Sequence, residues 1–299
     1  MTKNQILITG GNGLVGSKLI KDFSHEYDFI NLDRNDPKNP VDITDYIQLR
    51  NAFEEFSAPF VINMAAFTNV SEAWKQAGDK DGSAYRVNVY GASNVVEAAE
   101  ATGKHLIHIS TAYVFDGEKE DLYTEKDNPN PIEWYGKTKY LAEQAILNSG
   151  IKHTILRIDT PFRSDSFEKP DQVRKTIQSI KNNIPLFTDH YFGPTYIDDF
   201  ARIIDWVIRT NTTGLYHASS GEKFSDYEFG TLINETLNLD LEIKQGSLEK
   251  YLKTASRPLQ KNTAMDCNKL KSEIHFELTN VKKAIGAINL SQSLNSFCI

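Results

Sequence analysis

The sequence has few of the residues that build disulfide-stapled or membrane-spanning proteins. Only two of its 299 residues are cysteine, Cys267 and Cys298, a usage that fits free thiols in a reducing compartment. No apolar run approaches the ~18 residues of a membrane span. The N-terminal residues lead directly into a predicted strand and show no signal-peptide pattern. We therefore expect a cytoplasmic protein without a membrane partner.

Basic residues are also scarce relative to acidic ones. The chain has 33 Lys and Arg against 40 Asp and Glu, a net charge of -7, so no nucleic-acid partner is expected. The Cys, His and acidic residues show no metal-ligand spacing, and no metal site is expected. His105 and His108 lie in an apolar predicted strand and are interpreted as core histidines rather than ligands.

A glycine-rich turn lies between the first predicted strand, residues 5–9, and the first predicted helix. Gly10 permits a tight turn, Gly13 lets the backbone approach a pyrophosphate, and Gly16 lets the helix pack close to the strand. The N-terminus of the helix offers N–H groups and the positive end of its dipole to an anion. The predicted dinucleotide contacts in this turn are Gly10, Asn12, Gly13, Leu14, Val15 and Gly16.

Two adjacent residues bear on which dinucleotide is bound. Asp33 ends the second predicted strand, residues 29–33, where an acidic residue hydrogen-bonds the ribose 2′-OH of NAD. Arg34 could instead meet the 2′-phosphate of NADP. NAD(H) and NADP(H) therefore both stay open. Further predicted cofactor contacts precede the second helix or follow the third strand, residues 59–64; they are Asp42, Ile43, Ala65, Ala66 and Thr68.

A hydroxyl, a phenol and an amine follow the fourth predicted strand. Thr111 ends that strand, and Tyr135 and Lys139 lie on the predicted helix 135–146. Spacing i, i+4 puts the last two on one helix face, about 5–6 Å apart at Cβ. The ammonium would favour the phenolate and make the phenol a proton donor, and Thr111 could hold a substrate carbonyl. The alternative is a solvated helix face, since composition alone predicts roughly one such pair.

Strands alternate with helices as far as a fifth strand, residues 152–157. This order predicts an α/β fold with a Rossmann-type doubly wound parallel sheet. After residue 158 the pattern is irregular. We predict an NAD(P)-binding domain over residues 1–158, with a returning segment near 195–218. Residues 159–299 would form mainly a smaller α/β substrate lobe, with the site in the crevice between the lobes.

Several motifs occur together in this chain. They are TGGNGLVG at 9–16, VINMAAFTNV at 61–70, ISTAYVFDG at 109–117, YGKTK at 135–139, GPT at 193–195, GLYH at 214–217 and RP at 257–258. In this combination they resemble the extended short-chain dehydrogenase/reductase superfamily and, within it, the dTDP-4-dehydrorhamnose reductase family. The resemblance covers nearly the whole chain.

The resemblance implies a catalytic triad of Thr111, Tyr135 and Lys139. In the family's reaction, Lys139 would hold the nicotinamide ribose, Tyr135 would protonate the C4 oxygen of a nucleotide-linked 4-keto-6-deoxysugar, and Thr111 would orient the ketone. Hydride would come from NADPH or NADH. The arginine of the RP motif would suit the diphosphate of the sugar nucleotide. The expected substrate contacts are Thr68, Val70, Thr111, Tyr113, Phe115 and Arg257.

The chain departs from the family pattern at positions that shape the sugar pocket. Ala112 stands where the family usually has Asp, Ser71 and Trp74 stand where it often has Asp and Glu, and residues 159–163 lack the usual aromatic-Gly pattern. The base and the sugar of the substrate therefore stay open. Sugar dehydratases of the superfamily carry Asp-Glu directly after the catalytic Thr, and Ala112-Tyr113 argues against dehydration.

Two alternatives to a reductase stay open. The chain is similar, along residues 257–270 as well, to the regulatory β-subunit of methionine adenosyltransferase, which acts by binding its partner. A nucleotide-sugar epimerase is the other alternative. The oligomeric state, a homodimer included, is open too.

Overall fold

The computed structural model describes residues 3–289. Within them the chain divides into two compact units. The first comprises residues 3–115, 129–157 and 204–216, and the second comprises residues 116–128, 158–203 and 217–289. The functional assignment of a cofactor domain and a substrate lobe stays a prediction. Cys267 is a buried free thiol, and Cys298 lies outside the described residues.

The secondary structure alternates between strands and helices through the first half of the chain. The strands are β1 Asn4–Thr9, β2 Tyr27–Asn31, β3 Phe60–Asn63, β4 His105–Thr111, β5 His153–Ile158, β6 Pro161–Phe162, β7 Leu186–Phe187, β8 Tyr191–Phe192, β9 Thr195–Tyr196, β10 Gly214–His217, β11 Phe224–Ser225 and β12 Gln245–Gly246. The helices are α1 Gly16–Phe23, α2 Tyr46–Glu55, α3 Val70–Trp74, α4 Ser83–Tyr85, α5 Ala92–Thr102, α6 Trp134–Ser149, α7 Gln172–Lys181, α8 Ile197–Thr210, α9 Asp226–Thr236, α10 Leu248–Leu252, α11 Asn268–Glu273 and α12 Val281–Gly286.

Six of the described strands form the main sheet in the order β10-β5-β4-β3-β1-β2. The pairs β1–β2, β1–β3 and β3–β4 are parallel, which confirms the predicted α/β fold class. Because β2 and β3 lie on opposite sides of β1, the chain winds in two directions from this point. Ligands of such sheets bind outside the carboxyl ends of the strands at this switch point, where the glycine-rich turn follows β1.

Local sequence signals explain where several helices begin and end. Asp45 accepts a hydrogen bond from the Gln48 N–H and caps α2. Ser225 and Glu228 form a capping box at the start of α9. Helix α5 ends at Gly103, whose φ of 64° is left-handed. No helix within residues 3–289 is long and apolar enough to cross a membrane.

One predicted strand differs from the structure. The second strand ends at Asn31 rather than at residue 33, because the chain turns there and the Asp33 carboxylate accepts a hydrogen bond from the Asn35 N–H. A π-helical turn, Arg86–Gly91, lies between α4 and α5. Such turns often occur at functional sites, and this one carries Asn88, whose contacts are described below.

Each unit has its own apolar core. The core of the first unit lies between sheet strands and helices α2 and α5, with Leu7, Leu49, Val61, Val95 and Leu106 among its buried residues. The core of the second unit is rich in aromatic rings and packs α7, α9 and α12 together. Its buried residues include Phe162, Ile177, Phe192, Phe229 and Ile285.

Candidate active site

The glycine-rich turn brings two of its glycines against the protein's own backbone. Gly10 has a φ of +69°, and a Cβ there would lie 2.6 Å from the Ala65 nitrogen. At Gly16 a Cβ would lie 2.7 Å from the Gly10 oxygen. Gly13 differs, because a Cβ there would meet only the Gly10 oxygen, at 3.2 Å. The space above Gly13 is therefore open to a ligand, and the turn fits the pyrophosphate of a dinucleotide.

Replacing Gly13 by Val tests this distinction. We expect the variant to fold, since a side chain there faces mainly open space. It should bind NADPH and NADH at least about 100-fold more weakly, where each factor of ten corresponds to about 1.4 kcal/mol. The measurement is a fluorescence titration with each dinucleotide beside a thermal melt. Gly16→Val is the contrasting variant, and it should melt at a lower temperature. Unchanged affinity in Gly13→Val would contradict the placement of the pyrophosphate.

The end of β2 lies beside the glycine-rich turn. The Asn12 side-chain oxygen accepts a 2.9 Å hydrogen bond from Asn31 Nδ2, and the Asn12 N–H donates to Asp33 Oδ2 at 3.4 Å. Asp33 therefore stands where an adenosine ribose would follow the pyrophosphate. Arg34 is exposed at the same edge. Both positions are compatible with the predicted contacts, so the preference between NAD(H) and NADP(H) stays open.

The predicted contacts before helix α2 also lie near this edge. The Val41 N–H donates to the Asp33 carbonyl, which brings the following residue, Asp42, close to the end of β2. Asp42 accepts hydrogen bonds from the backbone and the hydroxyl of Thr44. Ile43 is buried and packs on Gly91, where a Cβ would lie 2.6 Å from its Cδ1.

The segment after β3 is held by Asn88. The Phe67 N–H donates to Asn88 Oδ1 at 2.7 Å, and Asn88 Nδ2 donates to the Phe67 carbonyl at 3.1 Å. Asn88 Nδ2 also lies 2.9 Å from Thr138 Oγ1, on helix α6. The segment containing Ala65, Ala66 and Thr68 is thereby tied to the helix that carries the predicted catalytic pair. Sequence reasoning missed Asn88, although an Asn inside a helical pattern was a usable signal.

The hydroxyl of Thr111 lies at the carboxyl end of β4. Its oxygen accepts a 3.2 Å hydrogen bond from the Tyr113 N–H and so caps the 3₁₀ turn Ala112–Val114. This bond uses the hydroxyl as an acceptor and leaves its hydrogen to be donated. The Tyr113 ring meets the Tyr135 ring edge to face, with centroids 5.8 Å apart. The turn that Thr111 caps therefore packs through Tyr113 against Tyr135, at the start of α6.

Lys139 is buried one helical turn after Tyr135. Only 3% of it is exposed, and its Nζ donates to the Ile109 carbonyl at 2.7 Å and lies 3.2 Å from His108 Nε2. Burial lowers the pKa of Lys139 to about 8, against the opposing effect of the Glu143 carboxylate. The amine is thus held on the face of α6 that lies along β4, one helical turn after Tyr135.

A buried ion pair supports the same strand end. Glu143 is bound by Arg157 through two hydrogen bonds of 2.6 and 2.9 Å, and its Oε1 also accepts a 2.5 Å bond from the Ser110 hydroxyl. Because Ser110 immediately precedes Thr111, the pair anchors the carboxyl end of β4 to α6. The Arg157 guanidinium also covers the ring of Phe115, 5.1 Å from its centroid. Sequence reasoning missed Glu143, although it lies four residues beyond the predicted lysine.

The remaining predicted substrate contacts lie in separate parts of the chain. Val70 is the first residue of α3, Thr68 is exposed, and Phe115 is completely buried. Arg257 belongs to the second unit and is half-buried, with Nη1 3.3 Å from the Pro258 carbonyl. Their roles stay predictions. Within residues 3–289, no group of three or more His, Cys, Asp or Glu is arranged to hold a metal ion.

Asp159 is the first residue of the segment after β5 that departs from the family pattern. This carboxyl is buried in the second unit, where its Oδ2 accepts hydrogen bonds from the Gly193 N–H at 3.1 Å and Thr263 Oγ1 at 2.7 Å. Its Oδ1 is buried without a hydrogen-bond partner among the described residues. Burial raises the pKa of Asp159 to about 7, while the charge of His190 acts in the opposite direction. The carboxyl is therefore protonated in the folded protein below neutral pH.

Replacing Asp159 by Asn should stabilise the protein in a pH-dependent way. Between the ordinary carboxyl pKa of 3.8 and about 7, the folded chain keeps a proton that the unfolded chain loses, so wild-type stability falls as pH rises. The full difference is worth roughly 4 kcal/mol, at about 1.4 kcal/mol per pKa unit. Asn keeps both acceptor bonds and does not ionise.

Urea unfolding at about pH 4, near the unfolded carboxyl pKa, and at mildly alkaline pH, above the folded one, measures the effect. The advantage of Asp159→Asn over wild type should grow from near zero to several kcal/mol as pH rises. Asp240→Asn, at an exposed left-handed position with φ of 51°, is the control and should show no such trend. An equal advantage at both pH values would show that the carboxyl ionises normally.

Comparisons with known proteins identify the family of the chain. The family described as RmlD substrate binding domain matches residues 4–292. The chain is 30% identical to dTDP-4-dehydrorhamnose reductase of Aggregatibacter actinomycetemcomitans, over 94% of this chain and 93% of that protein. It is 29% identical to methionine adenosyltransferase 2 subunit beta of Rattus norvegicus, over 90% of this chain and 82% of that protein.

A solved structure is similar over the whole fold. It is dTDP-4-dehydrorhamnose reductase from Bacillus anthracis in complex with NADP, with a TM-score of 0.85 and 29% identity, covering 95% of this chain and 98% of that one. The resemblance inferred from the motifs is thus confirmed. On the match of nearly its entire length, the chain belongs to the RmlD substrate-binding domain family.

Proposed function

We propose that this chain is an NAD(P)H-dependent reductase of the C4 ketone of a nucleotide-linked 4-keto-6-deoxysugar. The observation that carries the proposal is that both Tyr135 and Lys139, on α6, have partners at the carboxyl end of β4. The Tyr135 ring contacts Tyr113, whose N–H binds the Thr111 hydroxyl, and buried Lys139 donates to the Ile109 carbonyl. The open space above Gly13 supports the cofactor, and the names of the relatives support the substrate class.

In the proposed reaction each of the three residues has one task. The reduced dinucleotide, when bound at the glycine-rich turn, supplies the hydride. The Thr111 hydroxyl donates a hydrogen bond to the ketone oxygen and orients it. Tyr135 gives its phenolic proton to that oxygen, and the Lys139 ammonium favours the phenolate left behind. A positioned proton donor of this kind contributes ~10²–10⁴-fold to rate.

A second candidate is a regulatory subunit. The similarity to methionine adenosyltransferase 2 subunit beta supports it, because that protein is named as a subunit of an enzyme rather than as a reductase. In this case the dinucleotide site would serve binding, and the function would depend on a partner protein.

The test is oxidation of NADPH and of NADH in the presence of dTDP-4-keto-6-deoxysugar generated in situ. Oxidation that depends on the sugar supports the reductase and ranks the two cofactors. Tight cofactor binding without oxidation, together with co-purification of a methionine adenosyltransferase, would support the regulatory subunit instead. A sample without the sugar is the control for background oxidation.

A further inference from the structure

A row of polar side chains crosses the core of the sheet next to Lys139. The register pairs Thr9 with Asn63 across β1 and β3, and Asn63 with His108 across β3 and β4. Thr9 Oγ1 lies 2.7 Å from Asn63 Oδ1, and Asn63 Nδ2 lies 3.1 Å from His108 Nδ1. Each of the three is at most 2% exposed. Buried polar groups are costly unless they are hydrogen-bonded, and this row is bonded from end to end.

The row ends at the amino group of Lys139. His108 Nε2 lies 3.2 Å from its Nζ, and the Ile109 carbonyl accepts from the same Nζ at 2.7 Å. An ammonium has three hydrogens to donate. If two are directed at His108 and Ile109, the direction of the third is determined by the protein.

We propose that His108 is a positioning residue for Lys139, whose ammonium donates one hydrogen to His108 Nε2 and is thereby oriented towards the cofactor ribose and Tyr135. This inference rests on the proposed function, which makes Lys139 a catalytic residue. His108 itself touches neither cofactor nor substrate and acts through the lysine.

The charges around the amine are compatible with this role. Burial and the neighbouring Lys139 hold the pKa of His108 well below its usual range, so the ring is neutral and can accept a hydrogen bond. Burial lowers the pKa of Lys139 to about 8, and the Glu143 carboxylate, which pairs with Arg157, acts in the opposite direction. The phenol of Tyr135 is one helical turn away. Among these groups, His108 supplies a neutral acceptor in contact with Nζ.

An acceptor at Nε2 requires the ring proton of His108 to be on Nδ1. A half-turn of the Asn63 carboxamide exchanges its oxygen and nitrogen and moves no other atom of the residue. The oxygen then accepts a hydrogen bond from Nδ1, and the nitrogen donates to Thr9 Oγ1. The same row can therefore face an ammonium or, with the opposite carboxamide orientation, a neutral amine.

Two substitutions of His108 distinguish its hydrogen bond to Asn63 from its hydrogen bond to Lys139. In His108→Gln the side-chain amide reaches the place of Nε2 and still offers an oxygen to Lys139. In His108→Asn the shorter amide reaches only the place of Nδ1, so it faces Asn63 and leaves Lys139 without this acceptor. Both replacements are neutral and polar, so they differ chiefly in which partner they keep.

The experiment is a titration of NADPH affinity against pH in wild type, His108→Gln and His108→Asn, with a thermal melt of each. This readout does not need the sugar. Loss of the acceptor destabilises the ammonium, so the midpoint assigned to Lys139 should fall by about one pH unit in His108→Asn, the equivalent of one hydrogen bond. NADPH affinity should fall about tenfold there, and His108→Gln should restore most of both.

Three outcomes overturn the inference. They are an unchanged pH profile in His108→Asn, an equal shift in both variants, or a loss of affinity that follows the melting temperature alone. If His108→Asn does not fold, Asn63→Ser is measured instead, because it removes the partner of His108 Nδ1 and leaves the ring unfixed. An unchanged pH profile in Asn63→Ser overturns the inference as well. A difference between the Gln and Asn variants without sugar-dependent oxidation in wild type would support the positioning role and reject the proposed reductase.

Discussion

Tyr135→Phe should lower sugar-dependent NAD(P)H oxidation by about 10²–10⁴-fold, the usual contribution of a positioned proton donor. Phe keeps the ring, and with it the edge-to-face contact with Tyr113, whose centroid lies 5.8 Å away. The phenolic hydroxyl, and with it the proton donor, is lost. The dinucleotide affinity should therefore stay within about twofold of wild type, well under the tenfold that 1.4 kcal/mol would produce. Steady-state kinetics and a binding titration measure the two effects.

Tyr140→Phe is the matched control, since it removes another phenol from the same helix, α6. It should leave turnover unchanged. Full activity in Tyr135→Phe would remove the proposed mechanism. A higher KM at unchanged kcat would instead make Tyr135 a binding residue, because a proton donor acts in the transition state.

Gly136→Ala should have the second large effect, although it adds only a methyl group. A Cβ at Gly136 would lie 2.0 Å from the Tyr113 carbonyl oxygen and 2.9 Å from its carbon. Since these are backbone atoms, the start of α6 and the turn carrying Tyr113 must move apart. A displacement of about 1 Å between catalytic groups can cost ~100-fold in rate, and overpacking of this kind typically costs about 1–3 kcal/mol of stability.

The measurement is kcat together with the free energy of unfolding. Gly286→Ala, on α12, is the control, because its Cβ would meet nothing closer than Thr236 Cγ2 at 3.7 Å. It should leave both quantities near the wild-type values. Wild-type turnover in Gly136→Ala would show that the contact between α6 and the turn does not determine the geometry of the site.

The local parts of the candidate site were predictable from the sequence. The order of strand, glycines and helix at residues 5–23 indicated the nucleotide turn, and the spacing of Tyr135 and Lys139 placed them on one helix face. These patterns depend on residues close together in the chain, and backbone geometry alone relates them. For the same reason the predicted fifth strand and the α6 helix were found with errors of only a few residues.

Contacts between elements were not predictable in this way. The sequence identified His108 as a core histidine, but only the register of β1, β3 and β4 shows that it connects Asn63 to Lys139. Asn88 bonds the segment after β3 to α6 because a π-helical turn directs its side chain there. Periodicity did not predict that turn, which lies where Gly91 packs against Ile43.

By itself, then, the sequence determined the fold class, the family and the residue types that carry the proposed chemistry, because each depends on short-range pattern. The tertiary structure decided which glycines lie too close to neighbouring backbone to carry a side chain and which groups bind the Lys139 amine. It also decided that Asp159 is buried with a raised pKa. These properties depend on distances and burial among residues far apart in sequence, which exist only after the strands have paired and the helices have packed.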